Sequence, residues 1–472
     1  MRRGTVVAVV ALLGLAGYAG ADVLDLAPGV LTMAPLASVP VTTATPTATP
    51  SATLTLPSRA PSGMPVGPAG ADGGLPSAAG LGAALGPVLA DRAIAGASLA
   101  IRDGVTGAHL LDVAADSPRT PASTAKLLTA LAVDATFPAG SDLVTSVVQG
   151  SAPDRIVLVA GGDSLLAPGA GDPHAVVGHA GLADLADAVA DALRGQGRTS
   201  AVLQVDAAYA SGPVAAASWP SSFLGTGITG PVATLGLGSH RALPDHPGSA
   251  DPIGEVAATL AARLGERGIS TSVDPAPVRA DPAAVRLGEV RSAPVEEVLG
   301  LALRESDNGL TETLARLAAA RAGKPTDFPA VGAFVRERVA AAGIDVTGVS
   351  LVDASGLSDT STMPARVLAD VVALAASGRR PGLSAAFESL PIAGLTGTLA
   401  DRFADPAAAA GVGLVRAKTG TLTGVNSLAG TVVTAEGRLL VFAVLAPGPT
   451  GTAPARLALD RIGATLATCG CR

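Results

Sequence analysis

The chain has 472 residues, of which 48% are apolar and 2% aromatic, and 39 acidic against 32 basic residues give it a net charge of −7. With no basic run, there is no electrostatic reason to expect nucleic acid as a partner, and the few aromatic residues disfavour stacking platforms for bases or sugars. The length exceeds that of a typical domain, which predicts a core with a sizeable insertion or a second lobe.

The N-terminal segment 1–21 has the pattern of an export signal. Arg2 and Arg3 precede a largely apolar run, and Ala19-Gly20-Ala21 supplies the small residues expected at a cleavage site. The apolar run is at the lower edge of the length that spans a bilayer, so an uncleaved membrane anchor is the alternative. In both cases the bulk of the chain is expected outside the cytoplasm, in the cell envelope or secreted.

Residues 22–77 are rich in Pro, Thr, Ser and Ala, with no acidic residue between Pro35 and Gly70. Such a composition cannot bury a core, which predicts a disordered linker that either tethers the folded part to a membrane or is left over from export. Ordered structure is predicted from Ala78, with a helix followed by strands at Ser98–Arg102 and His109–Val113.

The stretch Pro121–Ala130 places Ser123 and Lys126 three positions apart at the start of a predicted helix, and therefore on one face. A hydroxyl in this first turn lies near unpaired backbone N–H groups and the positive end of the helix dipole, which suits a nucleophile whose attack creates negative charge. Lys126 can accept the serine proton only when neutral, and burial and a second nearby cation would favour that state. A chance Ser-x-x-Lys in a helix is the alternative.

The choice of basic residue supports the catalytic interpretation. Lys126, Lys324 and Lys418 are the only lysines among the 32 basic residues, and all the others are arginine. Arginine cannot lose its proton in a protein, so lysines retained against such a bias are expected where a deprotonatable amine or a compact charge is required.

Strands alternate with helices between residues 146 and 290. Ile156–Val159 and Val202–Val205 have the pattern of buried strands, and apolar residues recur at helical spacing between them. The pattern predicts an α/β lobe at 146–290, inserted into a core formed by 78–145 and 291–472. His174 and His179 lie in a Gly/Pro-rich loop of this lobe and are predicted at the surface, without a metal.

Two polar segments follow the predicted lobe. Ser306–Asn308 lies in a turn between predicted helices, where a helix cap is the ordinary interpretation, but Asn308 is one of only two asparagines in the chain. Lys418–Thr421 precedes two predicted strands and a terminal apolar helix. Cys469 and Cys471, the only cysteines, either pair locally or stay free.

Ser-x-x-Lys at Ser123–Lys126, Ser-Asp-Asn at Ser306–Asn308 and Lys-Thr-Gly at Lys418–Gly420 resemble, in this order, the active-site triplet of penicillin-binding proteins and serine β-lactamases. The long interval between the first two motifs is similar to that of class C low-molecular-mass penicillin-binding proteins of the peptidase S13 type, the D-alanyl-D-alanine carboxypeptidases. Asp353–Leu357 and Leu390–Gly394 also resemble this family. The resemblance implies an α/β (α+β) transpeptidase-like core with an antiparallel sheet and helices, plus the inserted α/β lobe.

The resemblance also implies a reaction. A serine D-alanyl-D-alanine carboxypeptidase, with endopeptidase action also open, would cleave peptidoglycan stem peptides through an acyl-enzyme on Ser123, and Lys126 would accept its proton. Ser306 would relay a proton to the departing D-alanine, and Asn308 would position the substrate amide. β-Lactam antibiotics would be covalent inhibitors, and no metal or organic cofactor is implied.

The third motif is implied to bind the substrate. Lys418, Thr419 and Thr421 would hold the terminal carboxylate, with Gly420 part of the same substrate-binding strand. The backbone N–H groups of Ser123 and Thr421 would form the oxyanion hole.

One feature departs from the family pattern. Members often carry an aspartate three or four positions after a tryptophan in the lobe, whereas Trp219 is followed by Pro-Ser-Ser-Phe, which leaves open the selectivity for the third stem-peptide residue. The alternative functions are a serine β-lactamase, which uses the same residues but deacylates fast, and a catalytically silent penicillin-binding scaffold of the cell wall.

Overall fold

A computed structural model describes residues 73–471 of the protein. The predicted signal or anchor at 1–21 and nearly all of the predicted linker at 22–77 lie outside the described residues. Within 73–471, no helix has the length and apolar character needed to cross a membrane.

The helices and strands follow one another along the whole described chain. The helices are α1 (Ala78–Leu89), α2 (Lys126–Asp134), α3 (Leu182–Gly195), α4 (Ser222–Gly225), α5 (Pro252–Glu266), α6 (Val295–Glu305), α7 (Asn308–Arg321), α8 (Phe328–Ala341), α9 (Ala365–Ala376), α10 (Pro381–Glu388) and α11 (Thr452–Ala467). The strands are β1 (Ser98–Asp103), β2 (His109–Val113), β3 (Val144–Gln149), β4 (Arg155–Val159), β5 (Ser200–Asp206), β6 (Ser270–Val273), β7 (Arg286–Arg291), β8 (Val415–Leu422), β9 (Val425–Val433) and β10 (Leu439–Pro447).

The main sheet is antiparallel and has five strands in the order β2-β1-β10-β9-β8. Both ends of the described chain contribute to it, since β1 pairs with β10 from Ser98 opposite Leu445 to Asp103 opposite Leu440. The strand β8 lies at one edge, so one side of its backbone is not paired with another strand.

Helices cover both faces of the main sheet. The helices α1 and α11 pack on one face, while α9 and a cluster of α2, α6, α7, α8 and α10 pack on the other. Successive residues of β10 enter these two cores in turn, Val441 and Ala443 on the helical-cluster side and Phe442 and Val444 on the other. The continuous apolar sequence of β10 follows from this burial on both faces.

A second five-stranded sheet, β6-β5-β4-β3-β7, lies within residues 144–291. The strands β4, β5 and β6 run parallel and are connected through α3 and α5, whereas β3 is antiparallel to both β4 and β7. The helices α3 and α5 bury Leu185, Val189 and Leu260 against this sheet. Near the C-terminus, Cys469 and Cys471 form a disulfide with each other.

Candidate active site

Ser123 lies in a 3-10 turn, Ala122–Ala125, that leads directly into α2 at Lys126. The side chain of Lys126 is fully buried, and its Nζ lies 3.0 Å from Ser123 Oγ. Ala122, just before the serine, has a left-handed backbone with φ 49°, a conformation that costs free energy in a residue other than glycine. The turn thus holds the hydroxyl against the amine at the expense of local strain.

Three acceptors surround the amine of Lys126. Besides Ser123, its Nζ contacts Asn308 Oδ1 at 2.6 Å and the Ser355 carbonyl oxygen at 2.8 Å. An ammonium group can donate to all three, whereas a neutral amine can donate to Asn308 and Ser355 and accept the Ser123 proton. Burial lowers the pKa of Lys126 to about 8, against the opposing charges of Glu312 and two aspartates. Both protonation states are therefore accommodated without rearrangement.

The three side chains of the Ser-Asp-Asn segment have different roles: one caps a helix and the other two contact the buried lysines. Ser306 ends α6 in a left-handed conformation with φ 58°, and the Asp307 carboxylate accepts the N–H of Leu310 at 2.9 Å to cap α7. The capping interpretation thus holds for Asp307 alone. Ser306 contacts Lys418 and Asn308 contacts Lys126.

A backbone carbonyl from the part of the chain that forms the second sheet orients the Asn308 amide. Its Nδ2 donates to the Ile228 carbonyl oxygen at 2.6 Å while its Oδ1 accepts from Lys126. The loop that contains Ile228, between α4 and α5, therefore contributes directly to the geometry around the amine of Lys126.

Lys418 is the second buried lysine of the site. Its Nζ donates to Ser306 Oγ at 2.8 Å and to the Thr419 carbonyl oxygen at 2.9 Å. Burial lowers the pKa of Lys418 well below its usual value, and the charge of Lys126 lowers it further. In contrast, Lys324 lies at the surface and pairs with Glu337 at 2.7 Å. Two of the three lysines thus have the protected environment that the composition suggested.

Gly420 allows the edge strand β8 to approach the serine closely. A Cβ atom at this position would lie 2.7 Å from the Pro121 carbonyl oxygen and 3.0 Å from the Ser123 nitrogen, and it would also collide with Ser427 Oγ. No side chain fits there without displacing the turn that carries Ser123.

The outer edge of β8 presents backbone groups toward the site. Ala417 donates its N–H outward to the Pro391 carbonyl oxygen at 2.9 Å. Because hydrogen-bonding directions alternate along a strand, Thr419 and Thr421 turn their N–H groups to the same edge. The side chain of Thr419 contacts the Thr398 hydroxyl at 2.7 Å.

Sequence reasoning missed a buried carboxyl group behind the site. Glu312 lies on α7, four residues after Asn308, and its Oε1 accepts the N–H groups of Ala354 at 3.0 Å and Ser355 at 2.7 Å. Burial raises the pKa of Glu312 to about 8, and the charge of Asp353 adds to the effect. The sequence did contain a pattern that could have identified Glu312: it follows Asn308 by four residues, which places both side chains on one face of the helix.

Trp219 supports the same loop from the other side. Its indole N–H donates to Asp353 Oδ2 at 2.9 Å, and its ring packs edge-on against Phe328 with centroids 5.0 Å apart. Asp353 also accepts the N–H groups of Gly356 and Ser358. In this chain the tryptophan therefore helps to fix the loop whose Ser355 carbonyl contacts Lys126.

Comparison with known proteins assigns the chain to a family. The model of the D-Ala-D-Ala carboxypeptidase 3 (S13) family matches residues 81–246 and 244–468. The chain belongs to this family. It is 36% identical over 400 residues to Carboxypeptidase DacB of Mycolicibacterium smegmatis, covering 83% of this chain and 85% of that protein. Identity to Carboxypeptidase Rv3627c of Mycobacterium tuberculosis is also 36%, over 84% of this chain and 85% of the relative.

The fold of this S13 carboxypeptidase is similar to that of a solved penicillin-binding protein. Penicillin binding protein 4 (dacB) from Haemophilus influenzae superposes with a TM-score of 0.64 at 19% sequence identity, covering 83% of this chain and 98% of that one. The predicted family and fold class are confirmed, and the protein is a serine-type D-Ala-D-Ala carboxypeptidase.

Proposed function

We propose that Ser123 is the nucleophile of this carboxypeptidase and Lys126 its general base. The observation that carries the proposal is the 3.0 Å contact between Lys126 Nζ and Ser123 Oγ, in a buried site where the lysine pKa falls to about 8. Ser123 Oγ attacks the carbonyl carbon of the penultimate D-alanine as its proton passes to Lys126. The product of this step is a tetrahedral intermediate with a negatively charged oxygen.

The backbone N–H groups of Ser123 and Thr421 bind that oxygen in this proposal. Support comes from the outward direction of the Thr421 N–H at the edge of β8 and from the close approach that Gly420 permits. Donors fixed in place before the reaction stabilise a developing charge without reorganisation.

The proton then reaches the leaving group through Ser306. As the C–N bond breaks, the Ser306 hydroxyl gives its proton to the departing amine and receives one from Lys418. The proton that Lys126 took from Ser123 then replaces the one that Lys418 has lost. Its contact with Lys418 at 2.8 Å supports this assignment. Asn308 has a second Nδ2 hydrogen besides the one donated to Ile228, and it positions the substrate amide. Loss of the amine leaves the shortened peptide attached to Ser123 as an ester. Water then cleaves this ester and regenerates Ser123.

Lys418, Thr419 and Thr421 bind the terminal carboxylate of the substrate, next to Gly420. The natural substrate in this proposal is the peptidoglycan stem peptide, so the enzyme acts outside the cytoplasm. β-Lactams acylate the same serine.

Residues 146–290 form the inserted lobe, 78–145 and 291–472 form the catalytic core, and the N-terminal segment tethers or exports this core. The carbonyl of Ile228 supports a role for the lobe in shaping the site.

Labelling with a fluorescent penicillin tests the assignment of the nucleophile. Wild-type protein and Ser123→Ala are incubated with the label, and release of D-alanine from a D-Ala-D-Ala peptide is measured in parallel. We expect a stable covalent label and D-alanine release from the wild type, and neither from the variant. Rapid release of hydrolysed antibiotic would favour a β-lactamase, and an unlabelled wild type would favour a silent scaffold.

A further inference from the structure

Apolar side chains border the end of β8 beyond Thr421. Leu422, the last residue of β8, and Phe223, in the short helix α4, are both partly exposed and both pack on the hydrophobic cluster that contains Trp219. Ile228, in the loop that follows α4, is 41% exposed. This end of the cleft therefore presents an apolar surface to the solvent.

Hydrogen bonds hold two of these residues on the Asn308 side of the cleft. The Asn308 Nδ2 donates to the Ile228 carbonyl oxygen at 2.6 Å, and the N–H of Ile228 donates to the Phe223 carbonyl oxygen at 3.1 Å. Leu422 belongs to β8 and faces the same side of the sheet as Lys418, because side chains alternate along a strand. The three apolar residues thus come from both sides of the cleft.

The direction of the substrate along β8 follows from the proposed function. The terminal carboxylate lies toward Lys418 and Thr419, and the carbonyl under attack lies at the N–H of Thr421. Toward its N-terminus the substrate therefore runs from Thr421 to Leu422. Each residue advances an extended chain by about 3.4 Å, so the residue before the penultimate D-alanine lies beside Leu422, between β8 and Asn308.

Two carboxylates near this end are already bound by donors of the protein itself. Asp307 accepts the N–H of Leu310 at 2.9 Å and lies 3.7 Å from Arg241. Asp353 is fully buried and accepts the Trp219 indole N–H at 2.9 Å as well as two backbone N–H groups. An ammonium group on the substrate would lose hydration beside the apolar side chains without gaining either carboxylate as a free partner.

We propose that Phe223, Ile228 and Leu422 form an apolar subsite for the side chain of the third stem-peptide residue and make the enzyme select an uncharged side chain there. The inference rests on the proposed function, which fixes the direction of the substrate. An aliphatic side chain gains free energy by covering these residues, whereas a charged one must first be desolvated. Phe223 lies outside the three motifs and touches no reacting atom, so its role is in specificity.

The test measures D-alanine release from three peptides of the form Nα-acetyl-X-D-Ala-D-Ala, in which X is L-norleucine, L-lysine or Nε-acetyl-L-lysine. Norleucine has the four-carbon side chain of lysine without the amine, and acetylation removes the charge while keeping the length. For the wild type we expect kcat/KM to be about 5- to 30-fold higher for both neutral peptides than for the lysine peptide.

Phe223→Asp should reverse this preference. The new carboxylate should raise kcat/KM for the lysine peptide about two- to fivefold and lower it for the norleucine peptide about three- to tenfold. Phe223→Asn is the matched variant, because it removes the same apolar contact without adding charge, and it should lower only the norleucine value. Val285→Asp adds the same charge at a position that is 66% exposed, just before β7, and should leave the ratio unchanged.

Several outcomes would contradict the subsite. A wild type that cleaves the lysine peptide as well as the neutral peptides would overturn it, and so would an unchanged ratio in folded Phe223→Asp, with folding checked by thermal denaturation. A preference for lysine that Asp359→Asn abolishes would assign the third residue to that exposed acid instead. A wild type that releases no D-alanine from any peptide would overturn the proposed function, so the two failures are distinguishable.

Discussion

Glu312 accepts a hydrogen bond from the N–H of Ser355 at 2.7 Å, and the carbonyl of the same Ser355 accepts one from Lys126 at 2.8 Å. A buried carboxyl group is thereby connected through one residue to the amine beside the nucleophile. Burial moves the pKa of Glu312 up to about 8 and that of Lys126 down to about 8. Both groups therefore titrate where the activity of the enzyme can be measured.

Acylation should become faster as the pH rises toward 8. Lys126 accepts the Ser123 proton only as the neutral amine, and the neutral fraction grows above its lowered pKa of about 8. The rate of penicillin labelling should therefore increase about tenfold per pH unit below 8 and level off above it. Stopped-flow labelling across this range measures the profile, and a flat rate would mean that Lys126 is not the base.

Glu312→Gln should move that profile to lower pH. The amide oxygen can still accept the N–H groups of Ala354 and Ser355, but the variant lacks the negative charge that Glu312 gains near its own pKa of about 8 and that raises the pKa of Lys126. Glu312→Ala provides the comparison, because it leaves both N–H groups unpaired at a cost of about 1–3 kcal/mol each and should lower the melting temperature. An unchanged or upward-shifted profile in the glutamine variant would contradict the electrostatic role.

Lys418→Met should reduce kcat/KM for D-Ala-D-Ala peptides by about 10- to 150-fold, because a charge-assisted hydrogen bond to the substrate is lost together with the contact to Ser306. The chain provides its own control. Lys324→Met removes the same charge from an exposed ion pair with Glu337 and should change kcat/KM less than about twofold. Similar effects of the two substitutions would place Lys418 outside the site.

Gly420→Ala should lower penicillin labelling by about 100-fold or more, because the added methyl group displaces the turn that carries Ser123. Gly82→Ala is the matched substitution. Gly82 lies within α1 with open space around it, so alanine there should leave labelling unchanged and stabilise the fold by about 0.5–1 kcal/mol. Full labelling of the Gly420 variant would show that the strand can retreat from the serine.

The parts of the site that depend on side-chain identity were predictable from the sequence. Ser123 and Lys126 are local neighbours, so their three-residue spacing already defined the contact, and the scarcity of lysine singled out Lys418. Two of the contacts that orient the site come from backbone carbonyls, those of Ile228 and Ser355. Any residue has a carbonyl, so no residue type in the sequence marks these positions.

Prediction of the strands from the sequence was limited in a similar way. The buried strands β4 and β5 were predicted because their apolar residues are continuous, but β7 was not. It lies at an edge and carries Arg286, Glu289 and Arg291, which form ion pairs with each other and with Asp142. Such a strand satisfies its polar side chains outside the core, so its sequence lacks the apolar pattern that identifies a strand.

The pairing of β1 with β10 has a consequence for how the protein is made. During synthesis β1 emerges long before β10, the strand that pairs with one of its edges. Until then β1, whose six residues are all buried in the finished fold, leaves Leu99, Ala100 and Ile101 exposed and the backbone groups of one edge unpaired. The main sheet therefore cannot form strand by strand as the chain is made. The nascent chain must avoid aggregation until β10 has been synthesised and can pair with β1.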